Sequence, residues 1–359
     1  MSKTAIIYSP IYLEHDPGPD HPESPSRLKA IMDGVEKVGL LKTKNCSIVD
    51  PRKATVEEIG LVHDRSYIKM IKSICEQGGG VVDSDTTLSP KSYEAAVFAA
   101  GGILGACESI LLGKFSNAFA CVRPPGHHVG FNGRALGVSS QGFCVFNNVA
   151  IAAANLMKKH GLKRIMILDI DAHHGNGTQE IFNRTPDVLY VSIHQDGRTL
   201  YPGTGFIDEI GEGEGEGSKV NIPLPQFSGD DAHLKALNQI VVPIADDFKP
   251  EIILISVGFD AHHTDPVANL KLSSFEYLKT FEIALSLASN LCSGKLAATL
   301  EGGYSLETVS KLAPAIIGKM AGISIPITDK KPTRPPSATQ QADKVINQVK
   351  NTLSPYWKL

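Results

Sequence analysis

Long apolar runs, paired cysteines and excess charge are all scarce in this 359-residue chain. Nowhere do about 18 apolar residues follow one another, so no membrane span is expected. The six cysteines, at 46, 75, 107, 121, 144 and 292, include no C-x-x-C pair. Several lie in apolar runs such as 118–122. They read as buried free thiols in a reducing compartment, not as a disulfide framework. A net charge of −3 leaves no excess of basic residues to meet nucleic acid. The N-terminal residues lack the length and flanks of a signal peptide, so a cytoplasmic location is expected. No repeat of fixed period is visible, and oligomerisation is left open.

What is present is a 42% apolar composition with 33 glycines and 22 prolines, enough for a large core and many turns. Short runs rich in Ile, Val, Leu and Ala at 117–122, 164–170, 188–193, 251–257 and 295–300 read as strands buried on both faces. Helical composition fills 147–160, 230–248, 274–293 and 305–320. This alternation predicts an α/β fold, a mostly parallel sheet with helices on both faces. Residues 1–324 read as a single catalytic domain. Residues 325–359 read as a linker and a tail with a short helix, packed on the surface and carrying no chemistry. The acidic 211–217 segment, Gly alternating with Glu, reads as a flexible solvated loop.

Ionisable residues gather at the carboxyl ends of all five strand candidates. They include Arg123 to His128, Asp169 to His174, His194 to Asp196, Gly258 to Asp260 and Glu301 to Tyr304. In an open parallel sheet that edge is where ligands bind. Asp171 and His173 are two residues apart, so in extended chain they face the same way. Asp260, at another strand end, is the natural third ligand. Three protein ligands and an open position describe a catalytic zinc site, although the oxygen-rich set also accepts Fe(II), Co(II) or Mn(II). The competing reading makes Asp171 and Asp260 helix caps. His127 and His128 can supply the acid and base that amide hydrolysis needs, or one ligand and one core histidine. Tyr304, after a double glycine, can donate to an oxyanion. Phe143 and Tyr201 can line a passage or belong to the core.

Together, Arg-Pro-Pro-Gly-His-His, Asp-Ile-Asp-Ala-His-His-Gly, Gly-Phe-Asp with Asp265-Pro266, and Glu-Gly-Gly-Tyr resemble the zinc-dependent histone deacetylase family. That family includes the bacterial acetylpolyamine amidohydrolases. The resemblance runs from about His21 to Leu306, and Asn176 gives it a class II-like, bacterial or archaeal form. It implies the three-layer arginase/deacetylase-type fold and one Zn2+ per chain on Asp171, His173 and Asp260. It makes His128 the general base, His127 its partner oriented through Asp169, and Tyr304 the oxyanion donor. It also implies a tunnel walled by Gly142, Phe143 and Tyr201, with Val267 at its rim and Arg27 near its floor. A structural K+ is implied on carbonyls of Asp169, Asp171, His173, Ser192 and Ile193, with the Ser192 hydroxyl.

The segment 129–141 is longer than the resemblance leads one to expect and is placed near the tunnel mouth. His262 and His263 read as loop residues, not ligands. The substrate reading is an acylated lysine in a peptide or protein, acetyl or larger, because Val267 cannot pair with a polyamine cation. Glu14, Asp16, Asp20 and Glu23 could supply that charge instead, which keeps acetylpolyamines as the alternative. An arginase-like ureohydrolase and a non-catalytic acyl-lysine binder are the more distant rivals.

Overall fold

The computed structural model describes residues 3–330 and 332–359. Its strands are β1 Thr4–Ile7, β2 Cys46–Val49, β3 Gly80–Val81, β4 Thr87–Leu88, β5 Asn117–Ala120, β6 Ile165–Asp169, β7 Val188–Gln195, β8 Lys219–Leu224, β9 Ile252–Val257 and β10 Leu296–Leu300. Strands β3 and β4 form a small antiparallel ribbon. The other eight make one sheet in the order β2-β1-β5-β10-β9-β6-β7-β8, and every pairing is parallel.

Strands β5 to β10 of this sheet are buried along their whole length. Successive side chains point to opposite faces, so both faces must be covered. Strand β9 indeed touches helix Asn148–His160 and helix Ser274–Cys292. Helix Asn148–His160 begins where the Asn147 side chain accepts the Ala150 amide, and it ends at Gly161 in the left-handed conformation. The expected 230–248 helix is broken instead into Asp230–Ala236, a π turn over Leu237–Val241 and Val242–Phe248. Helix Ser92–Leu111 is the one described helix long and apolar enough to cross a membrane. It packs on helix Asn148–His160 and on β5, and most of it is buried, as in a core helix.

Two sequence expectations need correction. The 211–217 segment is not free: Gly217 lies against the Tyr356 ring, and its carbonyl accepts the Trp357 indole N–H at 2.7 Å. Glu212, Gly213, Glu214 and Glu216 are exposed. The tail's helix is long, Pro336–Leu353, and Ala342, Ile346 and Val349 bury against the edge strand β8 and helix Asp230–Ala236. It covers an edge that would otherwise offer unpaired backbone groups.

The order of strands is what positions the site. The five strands that carry ionisable ends, β5, β10, β9, β6 and β7, are neighbours in the sheet. Between β6 and β9 the winding reverses: β6, β7 and β8 run one way, β9 and β10 the other. That reversal leaves a crevice beyond the strand ends.

Ile346 is fully buried in the terminal helix. Truncation to Ala should cost about 2–5 kcal/mol of unfolding free energy. Chemical denaturation of full-length protein measures this; an unchanged midpoint would show that the helix is not part of the core.

Candidate active site

Asp171 and His173 leave β6, and Asp260 leaves β9, on either side of the crevice. His173 Nδ1 lies 3.0 Å from Asp171 Oδ1 and 2.9 Å from Asp260 Oδ2. The remaining carboxylate oxygens are held by backbone amides: Gly302 N–H donates to Asp171 Oδ2 and Ala172 N–H to Asp260 Oδ1. Room for two carboxylates exists because β10 continues into glycine. A Cβ on Gly302 would stand 2.4 Å from Asp260 Oδ2 and 2.6 Å from Asp171 Oδ2. All three donors are buried and converge within 4.8 Å. Burial disfavours charge on His173, yet the two carboxylates outweigh it and raise the imidazole to about 10. A pocket that holds a positive charge this firmly, with one imidazole and two carboxylates, suits a divalent metal ion.

His127 and His128 follow β5. His127 Nδ1 is 3.0 Å from Asp169 Oδ2, which also accepts the Tyr190 hydroxyl. His128 Nδ1 is 2.8 Å from Asn176 Oδ1, and Asn176 Nδ2 donates to the Ala135 carbonyl. Asn176 Oδ1 is therefore the acceptor, and His128 keeps its proton on Nδ1 with Nε2 free to accept. The two rings are 4.0 Å apart between centroids, and their electrostatics diverge. Burial opposes charge on both. At His127 the Asp169 and Asp171 carboxylates overcome it and raise the group to about 10. At His128 burial is reinforced by the His127 and His173 cations, which push it well below its usual value. Two adjacent imidazoles of opposite proton affinity are the result.

Tyr304 and Phe143 form a T-shaped pair at 6.0 Å, and Tyr201 lies edge-on to His128 at 4.9 Å. Gly142 has a positive φ of 54°, and a Cβ there would strike the His128 ring and Tyr201. These rings thus flank the histidines and the metal triad. Burial first, and then Asp260, raise the Tyr304 phenol well above its usual value, so it remains a donor. Fully buried Arg27 lies beneath: it donates to the carbonyls of Gly303 at 2.7 Å and Glu301 at 2.6 Å and faces the Tyr304 ring.

With this geometry in view, residues 21–320 match the histone deacetylase domain. The chain belongs to the histone deacetylase family. It is 38% identical over 364 residues to a "Probable deacetylase" of Archaeoglobus fulgidus, covering 99% of both chains. It is 35% identical to the "Histone deacetylase-like amidohydrolase" of Pseudomonas aeruginosa, over 86% of this chain and 78% of that one. The crystal structure of the HDA15 HD domain superposes with a TM-score of 0.86 at 33% identity, covering 98% of this chain and 96% of that one.

Several residues that shape this deacetylase site escaped the sequence reading of roles. Asp265 accepts the amides of Tyr304 at 2.6 Å and Ser305 at 3.2 Å, fixing the turn that aims the phenol. Asp85, in the β3–β4 turn, accepts the Gly142 amide and the Ser140 hydroxyl. Glu301 accepts the amides of Gly126 and His127, tying the histidine turn to β10. Glu180 holds the 129–141 segment through the amides of Phe131 and Leu136. That segment reaches the Tyr201 ring, since Tyr201 donates to the Ser140 carbonyl at 3.0 Å. Only Asp265 and Glu301 carried a signal, each standing beside a recognised motif.

One expectation changes. Glu23 cannot serve as a rim carboxylate: it is fully buried and clamped by Arg123, with Arg27 at 3.1 Å. His262 and His263 lie in the loop after β9, where both imidazoles turn towards Asp329. Val267 is half-buried and donates its amide to Asp265.

Gly302→Ala should preserve the fold but displace one of the two carboxylates. Bound metal at this site should fall well below one ion per chain, measured by elemental analysis beside an unchanged circular dichroism spectrum. Full occupancy by the folded variant would refute the close-packing account.

Proposed function

We propose that the protein is a zinc-dependent amidohydrolase that removes acetyl groups from lysine side chains of peptides or proteins. The observation that carries this reading is the convergence of the Asp171–His173–Asp260 triad with His127, His128 and Tyr304 in one crevice. When bound, the ion supplies Lewis acidity to the acyl carbonyl and lowers the pKa of water. His128, with Nδ1–H held by Asn176, offers Nε2 as the general base. His127, held by Asp169, keeps a proton for the departing amine. Tyr304 donates to the acyl oxygen as negative charge develops there. The three roles fall on residues that follow two strands, His127 and His128 after β5 and Tyr304 after β10.

The substrate class is inferred from the rim and walls. Phe143 and Tyr201 suit the methylene stem of an acylated lysine. Val267 offers no charge for a second amine, and the burial of Glu23 removes one carboxylate that an acetylpolyamine would need. For the structural cation, Ser192 Oγ lies 2.8 Å from His194 Nδ1, while His194 Nε2 donates to the Gly205 carbonyl. The Ser192 hydroxyl proton thus points at the imidazole, leaving its lone pairs for K+. The six cysteines are buried and unpaired, which suits the proposed cytoplasmic setting.

Tyr304→Phe should retain metal and fold but lose on the order of 100- to 1000-fold in kcat on a simple acetyl-lysine amide. Unchanged turnover would remove the phenol from the mechanism. Substrate class is tested by comparing kcat/KM for an acetyl-lysine peptide, N8-acetylspermidine and acetylputrescine on one preparation. The peptide should be preferred; a preference of about 100-fold, or 2.7 kcal/mol, for either polyamine would overturn the acyl-lysine reading.

A further inference from the structure

Outside the crevice, a second convergence of metal-binding side chains lies where the chain's tail crosses the loop after β9. His262 Nε2 is 2.9 Å from one oxygen of Asp329, and His263 Nε2 is 3.0 Å from the other. Neighbours in extended chain point to opposite sides. Here a turn, closed by hydrogen bonds from the His262 amide to Phe259 and the Asp265 amide to His262, brings both rings to one side. They lie 4.4 Å apart and 30° from parallel. We propose that His262, His263 and Asp329 form a second site for a divalent transition-metal ion, separate from the Asp171–His173–Asp260 centre.

The donor chemistry favours this class of ion. Two imidazoles and one carboxylate suit Zn2+, Co2+ or Ni2+ and are poor ligands for Ca2+ or Mg2+, which take oxygen. Tetrahedral ligands at zinc distances stand about 3.3 Å apart, so each imidazole–carboxylate distance needs to lengthen by only a few tenths of an ångström, and the three donors lie within 4.8 Å of one another. Ser274 Oγ, 3.0 Å from His262 Nε2, stands within reach as a further oxygen donor.

The surroundings set the required tautomer. Thr264 Oγ1 is 2.8 Å from His262 Nδ1 and can accept its proton, passing its own to Thr308 Oγ1 at 2.6 Å. A proton kept on Nδ1 leaves Nε2 as a ligand. The contact from the Thr264 amide to Nδ1, at 3.3 Å, is the weaker partner and is given up in that tautomer. A cavity of about 470 Å³ opens on the cluster, lined also by Ser305, Thr308 and Lys311. Water or a small anion can enter there and complete the coordination.

The place of the ligands gives the ion a structural consequence. Asp329 belongs to the strap that leads to the terminal helix, and it also accepts the Ser274 amide at 2.7 Å. His262 and His263 precede Asp265, which holds the Tyr304 turn. An ion would therefore pin the strap to the loop that shapes the active site.

The test is a cobalt(II) titration of metal-stripped, full-length protein, read by visible absorption and elemental analysis. Wild type should bind two ions. His263→Ala and Asp329→Ala should each bind one and still hydrolyse acetyl-lysine. Asp260→Ala should bind one, and the Asp260→Ala/His263→Ala double variant none. Thermal melts check that each variant is folded; His263→Gln, which leaves the strap's carboxylate in place, serves if Asp329→Ala is not. A single ion in wild type, or two in His263→Ala and His263→Gln, would overturn the second site. If the single ion of wild type is lost with Asp260, the second site falls while the proposed function stands.

Discussion

Two carboxylates, Asp171 and Asp260, are buried side by side with one imidazole between them, and water is largely excluded. Unpaired, two such negative charges would strongly oppose folding. The site answers with backbone: the amides of Gly302, Ala172 and His173 donate to these carboxylates from two different strand ends. The remaining demand is for positive charge at the centre, and a divalent ion meets it best. That demand also sets the neighbouring histidines. Negative charge on Asp169 and Asp171 overcomes burial and raises His127, whereas burial, reinforced by the cations nearby, lowers His128. The acid–base asymmetry of the pair follows from where the carboxylates sit rather than from any difference between two imidazoles.

Rigidity around this centre comes from long-range polar ties. Arg27 and Arg123 converge on Glu23, whose burial opposes ionisation but is overcome by Arg123. Through Arg27 this cluster supports the carbonyls of Glu301 and Gly303. Asp265 and Asp85 act similarly from the other sides, receiving the amides of Tyr304 and Gly142. Such buried networks are costly when one member is missing, because the remaining charge is left unpaired. The loops that carry Tyr304 and Phe143 are thus held in place by carboxylates.

Much of this was legible in the sequence. The apolar strands announced themselves because they are buried on both faces, and the polar residues at their ends marked one sheet edge. Less legible were features fixed by distant partners. Strand β8 carries a lysine, Lys219, that reads as a surface residue. In the fold it is fully buried, donating to the Val188 carbonyl at 2.8 Å and the Ser218 hydroxyl at 2.7 Å. Glu23 looks like a loop carboxylate until Arg123, 100 residues away, closes on it. Asp329 lies in a segment of linker composition and gains its meaning only beside His262 and His263. Local pattern reveals which residues seek burial or a strand end; it does not reveal which charge will meet which.

In the proposed mechanism Asp260 completes a metal site on which turnover depends. Zinc titrated into metal-stripped wild type should restore hydrolysis of an acetyl-lysine amide, whereas folded Asp260→Ala should show no recovery at any zinc level. Full recovery by Asp260→Ala would contradict the ligand set and the chemistry built on it.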